Sequence, residues 1–216
     1  MNLPNKLTVL RILLVPVIVI IYYLGSLGVI DGEFLTIPIV NWLILVVFGI
    51  ASYTDHLDGK IARRDNLITA FGKFADPLAD KILVLAVMLI LVEEGNLPAW
   101  IPIIVLFREF VVSGYRLIAV ENGGKVIAAN IWGKIKTVTQ MVAIVLMYLT
   151  TFGYFDFIFR TNSIQEMYQS SALIYMTTIE FIINILATVF MTLSVIATIF
   201  SGWTYLKEGK DLFKDC

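Results

Sequence analysis

Cysteine and histidine are almost absent from this sequence. Its 216 residues include one cysteine, Cys216, and one histidine, His56. A single cysteine excludes an intrachain disulfide, and so few sulfur and imidazole groups exclude a zinc site built from cysteine and histidine ligands. A metal site in this chain would therefore depend on oxygen ligands.

Charged residues are scarce as well. They make up 15% of the chain, whereas 59% of the residues are hydrophobic and the mean hydropathy is +0.87. This composition is more apolar than a soluble core of the same size requires. The net charge of −1 indicates no partner by bulk charge, and no nucleic-acid partner is expected.

Long hydrophobic runs take up most of the chain. Six of them approach or exceed the roughly 20 residues that a helix needs to cross a bilayer. They are residues 9–27, 36–61, 69–92, 98–120, 131–152 and 172–205. We therefore predict an all-α, polytopic membrane protein with six transmembrane helices and a short N-terminal juxtamembrane segment, residues 1–8. The sequence shows no second domain, so residues 1–216 are expected to form a single membrane domain.

The lysines and arginines indicate how these spans are oriented. Six spans bring both chain ends to one side, and of the 16 basic residues only Arg160 falls in the loops on the other side. Basic residues accumulate on the cytoplasmic side of membrane proteins, so we expect both termini to be cytoplasmic.

Four aspartates lie within 26 residues, at the same cytoplasmic end of the predicted spans. Asp55 and Asp58 are three residues apart, and Asp76 and Asp80 are four apart. On helices, both spacings bring the two side chains to one face, and the short connection between the helices favours antiparallel neighbours. Converging carboxylates repel one another unless cations neutralise them, and carboxylate oxygens suit Mg²⁺, Mn²⁺ or Ca²⁺. An ion-pair network with nearby lysines and arginines is the alternative.

Two glycines and an arginine accompany these acids. Gly59 follows Asp58, and Gly72 lies one turn before Asp76. A glycine inside a helix costs about 1 kcal/mol relative to alanine, so the pair suggests that a large ligand approaches the backbone. Arg63 lies one turn beyond Gly59, and its guanidinium suits phosphate oxygens. Together these residues indicate metal-dependent phosphoryl transfer.

The whole stretch, residues 55–80, resembles the signature of the CDP-alcohol phosphotransferase family, D-x-x-D-G-x-x-A-R-x8-G-x3-D-x3-D. Every fixed position of the signature is matched, by Asp55, Asp58, Gly59, Ala62, Arg63, Gly72, Asp76 and Asp80. Residues 4–11, 108–116 and 125–140 are in addition similar to bacterial phosphatidylglycerophosphate synthases within that family.

The resemblance implies a set of roles for the signature residues. The four aspartates would bind one or two Mg²⁺ or Mn²⁺ ions, and Asp80 would also be catalytic, as the base that deprotonates the acceptor alcohol. CDP-diacylglycerol would be bound by Asp58, Gly59, Ala62, Arg63 and Gly72. The alcohol would attack the β-phosphorus and CMP would leave. The family likewise implies a homodimer in the bacterial cytoplasmic membrane, with its active site facing the cytoplasm.

A glycerol 3-phosphate acceptor would need a basic pocket for its phosphate. The expected residues are Arg108, Arg116, Lys134, Lys136, Thr8 and Arg11. For the basic residues, topology and contact with anionic lipids are the alternative explanation. Glu109, beside Arg108, either orders such a pocket or only neutralises nearby charge.

Two alternative functions are left open. Within the family, the acceptor could instead be inositol phosphate, serine or phosphatidylglycerol. Outside it, the acids could line the path of a cation transporter. A transporter predicts ionisable residues at intervals through the full membrane depth, whereas those of this chain crowd at one end.

Overall fold

The structure is a computed structural model that describes residues 3–35, 37–64, 70–121, 131–150, 153–154 and 178–208. Side chains are described for residues 5–35, 37–54, 75–115, 131–150, 153–154 and 182–207. Six helices and one short hairpin make up the regular structure of this part of the chain: α1 (Leu3–Ser26), β1 (Glu33–Phe34), β2 (Ile37–Pro38), α2 (Ile39–Arg64), α3 (Ala70–Glu93), α4 (Trp100–Glu121), α5 (Ile131–Tyr148) and α6 (Thr178–Glu208).

The prediction of a helical chain is confirmed, but six transmembrane helices are not. Among the described residues, two stretches are long and apolar enough to cross a membrane, Asn5–Ser26 of α1 and Ile182–Lys207 of α6. The apolar part of α2, Ile39–Thr54, is shorter. The last turns of α2 and the first turns of α3 carry the charged residues of the signature, which shortens the purely apolar run in each helix.

Two helix starts differ from the predicted ones. α1 begins at Leu3, so residues 3–8 continue into the long helix instead of forming a separate segment. Proline is tolerated in a first helical turn, because its missing N–H would have no partner there, and Pro4 occupies that place. α2 begins at Ile39, because Ile37–Pro38 pairs in antiparallel register with Glu33–Phe34. The predicted start of the sixth span lies outside the described residues.

The chain forms two compact units, Met1–Glu94 and Gly95–Cys216. In the first unit α1 packs against α2 and α3. Three polar side-chain pairs join α1 to α3 at nearly constant sequence offset: Thr8 with Asp76, Arg11 with Asp80, and Tyr23 with Glu93. α1 and α3 are therefore parallel, and α2, which returns with Val40 beside Gly25, is antiparallel to both. That a single domain spans residues 1–216 stays a prediction.

In the second unit α6 packs along α5 and α4. Trp132 near the start of α5 stacks on Phe200 near the end of α6, with ring centroids 5.2 Å apart. The ring of Tyr115 on α4 meets that of Tyr205 on α6 edge to face. α5 therefore runs antiparallel to α6, and the late part of α6 lies between α4 and α5.

Large apolar side chains lie on the outside of the protein as well as in its core. Phe107 is 67% exposed, Phe110 66% and Trp203 68%, whereas Arg11 and Ser201 are completely buried. A soluble protein rarely exposes so much apolar surface, whereas a helical protein in lipid does so as a rule. This distribution suits a membrane protein.

The contact between Gly25 and Val40 gives a test of the packing in the first unit. A Cβ added at Gly25 would run into the side chain of Val40, whose branched methyls cannot turn aside, whereas a Cβ at Gly49 of α2 would meet nothing within 4 Å. We expect Gly25→Ala to destabilise the protein by about 1–3 kcal/mol and Gly49→Ala to leave it unchanged or slightly more stable. Thermal unfolding of the two variants in detergent measures this, and equal midpoints would contradict the packing.

Candidate functional site

Asp76 and Asp80 lie one turn apart on α3 and are both bound by side chains of α1. The Thr8 hydroxyl donates a hydrogen bond to Oδ1 of Asp76, and Nη1 of Arg11 donates to Oδ1 of Asp80 at 3.2 Å. The Arg11 side chain is fully buried, whereas that of Asp80 is 50% exposed. Arg11 thus binds the carboxylate of Asp80 on one side, and the other side of the carboxylate is accessible to solvent.

The other signature residues lie on a described backbone, but their side chains lie outside the described part. α2 remains helical through Asp55 and Asp58, so their three-residue spacing does fall within one helical turn. Because α2 runs antiparallel to α3, the end of α2 lies at the same end of the first unit as the start of α3. That the four carboxylates converge stays a prediction, as do the roles of Gly59, Ala62, Arg63 and Gly72.

The donors at this end of the first unit fit a hard divalent cation. Carboxylate oxygens are what Mg²⁺ and Mn²⁺ prefer, and Asp76 and Asp80 present them from adjacent turns of one rigid helix. Among the described side chains no group of three histidine, cysteine or acidic residues is close enough to hold a metal. Asp55 and Asp58, which the sequence predicts as the remaining ligands, have side chains outside the described part.

A second group of charged residues lies in the second unit, around Glu109 of α4. Its Oε1 accepts hydrogen bonds from Nη1 of Arg108 at 2.8 Å and from Nζ of Lys136 at 2.6 Å. The side chains are largely buried, at 12% exposure for Arg108, 19% for Glu109 and 8% for Lys136. Among the described side chains, these two cations share one carboxylate, and we call the three residues the basic cluster. Guanidinium and ammonium groups donate strong hydrogen bonds to phosphate oxygens, so the cluster offers donors that suit a phosphate.

Arg108 is held at several points, yet part of its guanidinium has no partner. Its Nη2 donates to Oγ of Ser201 at 2.5 Å, and its Cζ lies 6.0 Å from the ring centre of Tyr205. Its Nε is buried and, within the described part of the chain, makes no hydrogen bond. A buried N–H without an acceptor is rare, so this atom marks a direction from which an anionic oxygen could complete the cluster.

Two glycines make room for Arg108 between α5 and α6. A Cβ added at Gly133 would lie 3.2 Å from Nη2, and one added at Gly202 would lie 3.5 Å from Cγ. The sequence analysis did not identify Ser201 or these glycines. The sequence does contain a Ser-Gly pair, Ser201-Gly202, inside the apolar run of α6. No local pattern relates that pair to Arg108, which lies 93 positions earlier in the chain.

Each unit contains some of the residues predicted for the acceptor phosphate. Arg108 and Lys136 of the second unit come together in the basic cluster. Lys134, two residues before Lys136 on α5, is exposed. The Arg116 side chain lies outside the described part. Thr8 and Arg11 belong to the first unit, where they bind the acidic residues of α3.

Comparison with known proteins identifies the family. The profile of the CDP-alcohol phosphatidyltransferase family matches residues 1–203, and the chain belongs to that family. Over 99% of its length it is 37% identical to the CDP-diacylglycerol–glycerol-3-phosphate 3-phosphatidyltransferase of Bacillus subtilis (strain 168), of which it covers 97%. It is 32% identical to the enzyme of the same name from Rickettsia typhi over 98% of this chain and 99% of the relative. A Pseudomonas fluorescens enzyme of that name is 38% identical over 68% of this chain and 72% of the relative. The resemblance noted from the signature is confirmed.

Proposed function

We propose that this protein transfers the phosphatidyl group of CDP-diacylglycerol to glycerol 3-phosphate, forming phosphatidylglycerophosphate and CMP. The observation that carries the proposal is the pair Asp76 and Asp80, oriented by α1 with Asp80 accessible. The names of relatives that match nearly the whole chain support the choice of substrates.

Asp80 is the proposed base. Its carboxylate takes the proton from the acceptor hydroxyl, the hydroxyl oxygen forms a bond to the β-phosphorus, and the bond from that phosphorus to the bridging oxygen breaks, leaving CMP. Asp55, Asp58, Asp76 and Asp80 would hold one or two Mg²⁺ or Mn²⁺ ions, which when bound offset the negative charge of the diphosphate. Gly59, Ala62, Arg63 and Gly72 are the proposed contacts of the CDP group.

The basic cluster is the proposed binding place of the acceptor's phosphate. Its two cations, Arg108 and Lys136, and the Nε of Arg108, which makes no hydrogen bond within the described part of the chain, favour an acceptor with a phosphate group over serine. Lys136 is the second cation of the cluster, and Arg116 and Lys134 stay candidates from the sequence. Inositol phosphate would satisfy the same charges, and the names of the relatives favour glycerol 3-phosphate.

The location of the protein in the membrane and its oligomeric state are also proposed. The apolar outer faces of the helices support a position in the bacterial cytoplasmic membrane, among its lipids. The distribution of basic residues supports cytoplasmic termini and a site that faces the cytoplasm. A homodimer is proposed from the family resemblance.

Release of CMP by the purified protein tests the reaction and the acceptor together. With CDP-diacylglycerol and Mg²⁺ or Mn²⁺, we expect CMP release to depend on glycerol 3-phosphate and to stop when EDTA removes the metal. Serine, inositol phosphate and phosphatidylglycerol are offered in parallel. Release with one of these and not with glycerol 3-phosphate would assign a different acceptor. Cation flux into proteoliposomes without any CMP release would favour a transporter.

Substitution of Asp80 tests its role as the base. Asp80→Asn keeps the size of the side chain but cannot accept the proton, so we expect the turnover rate to fall by about 10³-fold. Glu93→Gln, which removes a carboxylate from the last turn of the same helix, is the matched control and should keep the normal rate. Both variants should elute and melt like the original protein. A near-normal rate for Asp80→Asn would remove its assignment.

Substitutions of the two glycines beside Arg108 make a matched pair of variants that tests the acceptor pocket. Gly133→Ala would press a methyl group against the guanidinium, whereas Gly202→Ala makes an ordinary contact with Cγ. Weakening a charged hydrogen bond by about 1 kcal/mol corresponds to a roughly five-fold change in affinity. We therefore expect Gly133→Ala to raise the KM for glycerol 3-phosphate about five-fold, without changing that for CDP-diacylglycerol. Equal KM values in the two variants would argue against the basic cluster as the acceptor site.

A further inference from the structure

One face of the N-terminal part of α1 is polar and buried. Asn5, Thr8 and Arg11 follow one another at intervals of three residues, and their exposures are 9%, 1% and 0%. This spacing aligns them on one side of the helix. A fully buried guanidinium is costly unless it is paired, and here it pairs with the carboxylate of Asp80. The polar face of α1 is therefore directed at the acids of α3.

The sequence analysis expected Thr8 and Arg11 in the acceptor pocket, and their observed contacts support a different role. Their side chains are buried, and both direct a donor at a carboxylate oxygen of α3. Asp80, in contrast, remains half exposed. A ligand that approaches from solvent can therefore reach Asp80 directly. The cations proposed for the acceptor's phosphate, Arg108 and Lys136, belong to the second unit.

We infer that Thr8 and Arg11 are positioning residues, which hold Asp76 and Asp80 in the orientation that cation binding and proton transfer require. The inference rests on the proposed function. The hydroxyl of Thr8 and the guanidinium of Arg11 each occupy one oxygen of a carboxylate and so limit its rotation. The positive charge of Arg11 also reduces the mutual repulsion of the acids while no cation is bound. Neither residue contacts the acceptor.

The cleanest test replaces Thr8, because the change can be made without altering charge. Thr8→Val has nearly the same shape but no hydroxyl, and Thr8→Ser keeps the hydroxyl. Removing a group that orients a metal ligand typically costs 10–100-fold in metal affinity or activity. We expect Thr8→Val to weaken Mn²⁺ binding, followed by electron paramagnetic resonance without substrate, and to lower kcat, each by about 10-fold. Thr8→Ser should restore both, and the KM for glycerol 3-phosphate should stay within two-fold in both variants.

Arg11 supplies the second half of the test. Arg11→Met should lower kcat by at least 10-fold with little change in the KM for glycerol 3-phosphate, and Arg11→Lys, which keeps the charge, should recover part of the rate. Tyr23→Phe is the control, since it removes the hydrogen bond to Glu93 at the other end of the same helix pair. It should leave kcat and Mn²⁺ binding unchanged.

Two results would overturn the inference. One is equal Mn²⁺ binding in the original protein, Thr8→Val and Thr8→Ser. The other is a large rise in the KM for glycerol 3-phosphate at unchanged kcat, which would return Thr8 and Arg11 to the acceptor pocket. If the original protein releases no CMP with any acceptor, the proposed function fails, while the Mn²⁺ comparison still decides whether α1 orients the acids.

Discussion

A charged side chain that leaves water must be paired, and this constraint accounts for where the polar residues of the chain lie. The helices expose apolar side chains on their outer faces, so the charged groups needed for chemistry are directed inward or to helix ends. In the first unit Arg11 of α1 binds Asp80 of α3. In the second, Glu109 of α4 binds Lys136 of α5 and also its own neighbour Arg108 on α4.

The two arrangements differ in the charges that the described side chains contribute. In the first unit Arg11 binds one of the two acids Asp76 and Asp80 of α3, and the sequence predicts two further acids from α2. In the second unit two cations, Arg108 and Lys136, bind the carboxylate of Glu109.

Local sequence patterns predicted the helices and the residues that share one helix face, because both depend on local backbone geometry. The four-residue spacing of Asp76 and Asp80 identifies a shared helix face, and the structure has both on α3 with their carboxylates bound by α1. The helices themselves were predicted from apolar runs. The hairpin of Glu33–Phe34 with Ile37–Pro38 was missed, because strands of two residues have no alternating pattern to detect.

Contacts between distant segments were beyond the reach of the sequence. The basic character of Arg108 and Lys136 indicated a phosphate pocket, and Glu109 was expected either to order it or to neutralise nearby charge. Nothing in either segment indicated that Glu109 binds Lys136 or that Ser201 binds the guanidinium. Thr8 and Arg11 were grouped with the other basic and polar candidates by residue type. Their contacts with Asp76 and Asp80 depend on the parallel packing of α1 and α3, which no periodicity specifies.

That parallel packing has a consequence for how the N-terminal helix can evolve. α1 is attached to α3 near its start, through Thr8 and Arg11, and near its end, through Tyr23. Inserting or deleting one residue between these points would rotate one end by about 100° relative to the other. Both attachments could not then be kept. The eleven positions between Arg11 and Tyr23 are therefore fixed in number, even where, as at Leu13 and Ile20, the side chains face outward.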